Sequence, residues 1–419
     1  MHSASPLFAP THRKRLQDIL LEGSAMSRIR TAIRTLDDAA HSIRRRATRK
    51  RKILFHGHND MNYNMFMPLH KKILRDSHTD VFFLFTNEIT KKNEHKSEFP
   101  LNNTKQHIES DKIISAEKAK YMKWDAILDS DLHTPWFYRN ATFIQIFHGV
   151  AAKAVTLENG TVVNYNYHPN LRNYDVCFFA NKTFLCRTKD LNLWKNSDSG
   201  ELIGLCCLDN MIKKNNQQSI NYVKNILVPE RFRSKQIILY APSWGNHNSL
   251  VRKGEEILAA LAQKDIFVIV KPHPNFVFDS TNRTEISLKK LLERLFKDRN
   301  YSLITDSPYD AALISDALIS DFGSLALEYT LLRKPIFLFQ GTDQLSHIAD
   351  LDQFNMFLKC SYPFHENKAI DKKLFTIAPL SKEQRLFMEE FEEAYFANVG
   401  RATDAAFNAL VRRDIICRK

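Results

Sequence analysis

The sequence predicts an α/β protein: two doubly wound halves facing each other across a cleft, preceded by a basic helical extension. Three observations carry this reading. From Lys52 onward, short apolar runs alternate with amphipathic segments, the pattern of parallel sheets covered by helices on both faces. The alternation pauses at a polar stretch over 213–221 and then begins again. The length of 419 residues suits two domains at ~100–200 residues each. The expected division is 1–51 for the extension, 52–212 for the first half, 213–380 for the second, and 381–419 for a C-terminal helix packing back across both.

In the extension, Pro6 and Pro10 suggest a loose start, and two helical stretches follow. In the second stretch Ile29, Ile33, Leu36, Ala40 and Ile43 recur at spacings of three and four, which places them on one helical stripe. Arg30, Arg34, Arg44 and Arg45 lie off or beside that stripe. Two readings stand: a helix packed on the body with a solvated basic face, or an interfacial helix resting on anionic lipid. In the second case each Lys or Arg near the surface adds roughly 1 kcal/mol.

In the first half KILFHGH reads as a strand, followed by a helix over 65–74 and the strand VFFLF. AILDS and FIQIFHG are further strands with a helix over 116–123 before them, and DVCFFAN and ELIGLCC continue the series. The second half repeats the alternation. QIILYAPS, IFVIVKPHP, ALISD and PIFLF are its strands, with helices over 255–263, 287–297 and 325–332. A last helical stretch spans 382–411.

Composition bounds the function. A 44% hydrophobic and 26% charged chain is globular, and disordered, collagen-like and low-complexity classes are excluded. The net charge of +13 points to an anionic partner. However, ten basic residues against Asp37 and Asp38 fall between Arg28 and Lys52, a local excess of eight. A nucleic-acid groove spread over the body therefore loses support. Cys177, Cys186, Cys206, Cys207, Cys360 and Cys417 show no CxxC spacing, and read as buried thiols of a reducing compartment. Charges at Arg13, Lys14, Arg15 and Glu22 interrupt any signal-peptide core, and no run approaches ~18 apolar residues. The expectation is a cytoplasmic protein, peripheral on the inner face of the membrane through its N-terminal segment.

Ligands of open α/β sheets sit beyond the carboxyl ends of the strands, so residues there are read first. FIQIFHGVAAK ends a buried strand at His148 and Gly149, with Lys153 five residues after the His. Glycine permits close backbone approach, and His moves protons near neutral pH; a structural strand-end His is the plainer alternative. In QIILYAPSWG, Ser243 and Trp244 leave a strand through a Pro-stiffened turn. In IFVIVKPHPN, Lys271 and His273 are held in extended chain by Pro272 and Pro274, a pairing suited to clamping an anion. In ALISDFGSLALEY, Asp321 and Gly323 precede a helix whose first N–H groups, at Gly323, Ser324 and Leu325, suit a phosphate; a simple N-cap by Ser324 is the alternative. Glu328 lies one turn beyond Ser324, placed to accept hydrogen bonds from ribose hydroxyls.

Together these four segments resemble the CDP-glycerol glycerophosphotransferases of teichoic acid and capsule synthesis. The resemblance runs from about Lys52 to Val411. It lies in Phe147-His148-Gly149 with Lys153, in the YAPTW-like turn from Tyr240 to Trp244, in KPHP from Lys271 to Pro274, and in the segment from Ser315 to Ile336. A GYPRND-like spacing is echoed by Gly204 and Asp209. The departures are Ser243 for Thr, Gly245 for Arg, Gly323 for Ser, Glu328 for Asp, and LCCL for YPRN.

The resemblance implies a GT-B arrangement, with the donor nucleotide on the second half and no bound metal or other cofactor. It implies that a glycerol-phosphate or similar polyol-phosphate passes from a CDP carrier to a polysaccharide or lipid-linked acceptor hydroxyl, releasing CMP. His148 would be the general base. Lys271, His273 and Ser324, with the amides of Gly323–Leu325, would neutralise the diphosphate, and Glu328 would hold the ribose. A GT-B glycosyltransferase using a nucleotide-sugar is the alternative. A nucleic-acid-binding protein acting through its basic N-terminal segment is the rival from another class, and it is disfavoured.

Overall fold

The computed structural model describes residues 50–57, 60–85, 108–130, 132, 141–147, 149–157, 160–273, 284–305, 307–342, 348–371 and 373–419, with a few helical positions between 32 and 43. The first half runs β1 (Arg51–Gly57), α1 (Asp60–Asp76), β2 (Thr79–Phe85), α2 (Ala116–Tyr121), β3 (Ala126–Asp129) and β4 (Thr142–Ile146). A small hairpin, β5 (Ala154–Thr156) and β6 (Val162–Asn164), precedes β7 (Val176–Phe179), α3 (Lys182–Asp190), β8 (Gly200–Leu202), α4 (Leu208–Lys213) and α5 (Gln217–Leu227). The second half runs β9 (Gln236–Ala241), α6 (Ser249–Ala262), β10 (Ile266–Val270), α7 (Thr284–Leu295), β11 (Tyr301–Leu303), α8 (Tyr309–Ile314) and β12 (Ala317–Ser320). It continues through α9 (Ser324–Tyr329), β13 (Ile336–Gln340), α10 (Leu351–Lys359) and β14 (Tyr362–His365), and the chain closes with α11 (Lys382–Tyr395) and α12 (Ala402–Arg412).

Among the described residues each half carries a six-stranded sheet. The first is ordered β2-β1-β3-β4-β7-β8 and the second β11-β10-β9-β12-β13-β14, with parallel pairing throughout both. Parallel strands need both faces covered, and β1, β3, β7, β10 and β12 are buried along their whole length. In the second sheet the order reverses between β9 and β12, so a crevice opens at their carboxyl ends. The corresponding reversal in the first sheet lies between β1 and β3.

Packing joins the halves. Phe147, Val150 and Ala151 at the end of β4 share one buried cluster with Leu327, Phe354 and Phe357 of the second half. The C-terminal segment returns to the first half: Ala406, Phe407 and Leu410 of α12 pack with Tyr63, Phe66 and Ile73 of α1. The expected single helix over 382–411 is two, because Asn398 and Gly400 take φ of 49° and 74°, left-handed backbone that a helix cannot continue through. The polar stretch over 213–221 is also more than a linker. Asn216 caps α5 by accepting from Ser219 N at 3.0 Å, and Ile220, Val223 and Leu227 turn inward from that helix. All six cysteines are free thiols; Cys186 is exposed and Cys417 half-buried, so the expectation of burial holds for the other four. Among the described residues no helix is long and apolar enough to cross a membrane.

Candidate active site

The crevice of the second sheet is built around Asp321. Its buried carboxylate accepts from Ser243 N at 2.6 Å, Ser249 N at 2.7 Å and Ser249 Oγ at 3.3 Å. This ties the turn leaving β9 to the turn leaving β12, the two strands that flank the reversal. Burial pushes the Asp321 carboxyl up to about 6, against the opposing pull of these hydrogen bonds. Asp321 thus shapes the crevice through backbone amides. The turn it holds presents Ser243 to the crevice edge and leaves Trp244 61% exposed. Gly245 follows at φ +105°, which explains a glycine where the family places Arg. Gly323 caps α9 in extended backbone that any residue adopts, and a Cβ there would meet only Ser243 Cβ, at 4.0 Å. Among the described contacts no side chain caps the start of α9, so its first N–H groups are not taken by an N-cap.

Lys271 and His273 follow β10 beside this crevice. Lys271 is buried, its backbone N–H donating to Tyr240 O at 2.8 Å and its Nζ to Pro272 O at 3.1 Å. His273 is half-buried.

Across the cleft, the loop after β4 comes up against α9. A Cβ on Gly149 would lie 2.3 Å from Ser324 Oγ and 3.0 Å from Ser324 Cβ, so only glycine allows this approach. His148, the expected base, lies outside the described residues. Lys153 lines the cleft: its side chain reaches solvent, yet the crowding protein lowers its ammonium pKa while the Glu328 carboxyl opposes that shift. Glu328 itself is buried, and burial pushes its carboxyl up to about 8, against a hydrogen bond with Tyr309 and the charge of Lys153. Tyr309 OH also donates to Cys207 Sγ at 3.4 Å, so this chain of polar groups crosses from one half to the other.

The structure therefore brings Gly149, Lys153, Ser324, Leu325 and Glu328 to one region, with Ser243, Trp244, Lys271 and His273 at the neighbouring strand ends. Asp209 stands apart. Its carboxylate accepts from Ala402 N at 3.0 Å and Thr403 N at 2.7 Å, capping α12. Sequence reasoning missed Tyr309, which no local motif marks, and read Cys207 only as a buried thiol within the LCCL that replaces YPRN. It also missed a buried network at the reversal of the first sheet. There His56 Nδ1 lies 2.9 Å from Asp129 Oδ1, Tyr174 OH donates to Asp129 Oδ2, and Asn62 Nδ2 donates to Ser130 Oγ at 2.8 Å. The available signal was the polar FHGHND stretch at the end of the first strand.

Residues 37–345 match the family model described as CDP-Glycerol:Poly(glycerophosphate) glycerophosphotransferase. The chain belongs to this family. A curated relative, the teichoic acid ribitol-phosphate primase of Bacillus spizizenii strain W23, is 26% identical over 175 residues, 40% of this chain and 38% of the relative. The aligned region thus spans well under half of that protein. Among solved structures, the wall teichoic acid polymerase TagF superposes with a TM-score of 0.60 at 17% identity, covering 98% of each chain. The S. aureus MnaA–UDP structure superposes at 0.50 and 14% identity, over 87% of this chain and 98% of that one. These likenesses show the GT-B-like fold.

Proposed function

We propose that this protein transfers glycerol-phosphate, or a related polyol-phosphate, from a CDP-linked donor to a hydroxyl of a teichoic-acid-like or capsular polymer. The observation that carries the reading is the meeting of Gly149 and Ser324, which sets the loop bearing His148 against the start of α9 at the crevice of the second sheet. The second half, 213–380, takes the donor nucleotide, and the first, 52–212, takes the acceptor. His148 removes the proton from the acceptor hydroxyl as its oxygen attacks the distal phosphorus. The bond from that phosphorus to the bridging oxygen breaks, and CMP leaves with the electron pair. The amides at Gly323–Leu325, Ser324 Oγ and the cations Lys271 and His273 stabilise the charge that grows on the leaving group. Lys153 adds a positive charge from the acceptor side. Glu328, protonated at neutral pH and donating that proton to Tyr309, accepts hydrogen bonds from the ribose hydroxyls. No further cofactor is required by this scheme.

Glu328 in place of the family's Asp favours one second reading, a glycosyltransferase on the same scaffold using a nucleotide-sugar. The N-terminal segment carries a separate expectation. Leu36 and Ile43 stand in helical backbone and are 71% and 69% exposed, and the basic residues around them fit an anionic membrane at the inner face of the cell. Replacing His148 tests the chemistry. In His148→Ala, transfer from CDP-glycerol falls ~10²–10⁴-fold while CDP-glycerol still binds, the signature of a lost general base. Normal turnover in the folded variant would remove His148 from the mechanism.

A further inference from the structure

The loop after β4 is held from the other half of the molecule by the side chain of Gln353. Gln353, in the first turn of α10, is fully buried. Its Nε2 donates to Val150 O at 2.8 Å, and its Oε1 accepts from Ala152 N at 2.8 Å. The carboxamide thus stands in for a neighbouring strand, pairing with alternate backbone groups of the loop. Backbone contacts extend the seam: Ala349 N donates to Ala152 O at 3.2 Å, and Lys153 pairs with Ile348 in an antiparallel bridge. From within the first half, Asn166 Nδ2 donates to Ala151 O at 3.2 Å and Tyr165 N to Lys153 O at 2.8 Å. Gln353 is itself fixed, its backbone N–H donating to Asp350 Oδ1 at 3.0 Å.

We propose that Gln353 is a positioning residue for phosphoryl transfer, its carboxamide holding the 149–153 loop in register against α9 and so setting where the acceptor-side groups stand relative to the donor. This rests on the reading that the loop and Ser324 border one reacting centre. The carboxamide is suited to the task because it offers one donor and one acceptor in a rigid plane. A Gly149 in contact with Ser324 leaves no slack, so a small shift of the loop separates His148 and Lys153 from the donor.

Two variants test this, with the parent protein assayed beside them for CMP release from CDP-glycerol. Gln353→Met keeps the volume and removes both hydrogen bonds. The expected loss is about ten- to a hundredfold in kcat, with KM for CDP-glycerol within about threefold, as for a misplaced rather than missing group. Hydrogen exchange at the Ala152 amide should quicken in the same variant. Gln353→Glu retains the acceptor for Ala152 N–H, but when ionised it turns an oxygen toward Val150 O; when protonated it donates there and restores the pair. Its kcat relative to the parent should therefore rise as the pH is lowered from about 8 to about 6, where a buried carboxyl gains its proton. Asp350, which caps that helix, and Lys153 and Glu328 in the cleft are common to both proteins, so their own titration cancels in that ratio.

A Gln353→Met kcat within about twofold of the parent would overturn the proposal, as would a loss confined to KM. So would a Gln353→Glu ratio that is flat with pH. If Gln353→Met does not fold, the Gln353→Glu ratio decides. A parent that releases no CMP would count against the transfer reading instead. Ala152 exchange in Gln353→Met would then decide on Gln353 alone, with an unchanged rate refuting it.

Discussion

Replacing Glu328 by Gln should remove a pH dependence of folding that the buried carboxyl imposes. Burial holds that carboxyl at about 8, against an ordinary value of 4.5. At a pH one unit below the folded value, about ten molecules in eleven carry the proton. Between 4.5 and 8 the folded state binds a proton that the unfolded chain has released, so stability falls as the pH rises. The contribution is fully present below 4.5 and is lost as the pH passes through 8. One proton gives a slope of about 1.4 kcal/mol per pH unit, so from about pH 5.5 to about pH 7.5 the parent should lose roughly 2–3 kcal/mol relative to Glu328→Gln. Urea unfolding of both proteins at matched pH values measures this difference directly, and every other titrating group is shared. A difference that stays flat with pH would mean that Glu328 is ionised in the folded protein at neutral pH. Its role as a neutral partner for ribose would then be wrong.

Asp321→Ala leaves the N–H groups of Ser243 and Ser249 without their acceptor, at about 1–3 kcal/mol for each unsatisfied group. A lowered melting temperature and weaker binding of CMP should appear together, because the same turn carries Trp244; an unchanged melting curve would refute the clamp. Gly149→Ala drives a methyl group against Ser324, and while Ser324 Oγ can rotate away, the 3.0 Å approach to Ser324 Cβ remains. Transfer should fall about tenfold, and the penalty should shrink when Gly149→Ala is made in a Ser324→Gly background, a coupling of the kind contacting residues show. Equal penalties in both backgrounds would place the two residues apart.

Much of this architecture was legible because buried parallel strands write themselves as apolar runs. KILFHGH, IFVIVKPHP and ALISD each announce a strand and the residues at its carboxyl end. The meeting of the fourth strand's His-Gly end with the Ser324 turn was legible only through the resemblance of the whole set, since neither segment alone points to the other. Asp321 and Asp209 stood in the right motifs, but their carboxylates face backbone amides, a role that depends on chain brought from 72 to 194 residues away. Gln353 carries no signal at all: in LDQFNMFLK it reads as one polar residue on an amphipathic helix, and its partners are some two hundred residues earlier in the chain. The break at Asn398 and Gly400 was missed because the flanking apolar residues keep helical spacing on both sides of it.

The most direct test of the central claim is the identity of the nucleotide released. The purified 419-residue chain is incubated with a polyol-phosphate acceptor and, in parallel, with CDP-glycerol, CDP-ribitol and UDP-sugars, and the nucleotide products are separated. Release of CMP from a CDP-polyol, with a matching gain of one polyol-phosphate on the acceptor, is the predicted result. Release of UDP from a nucleotide-sugar, with no CMP from either CDP-linked donor, would contradict it.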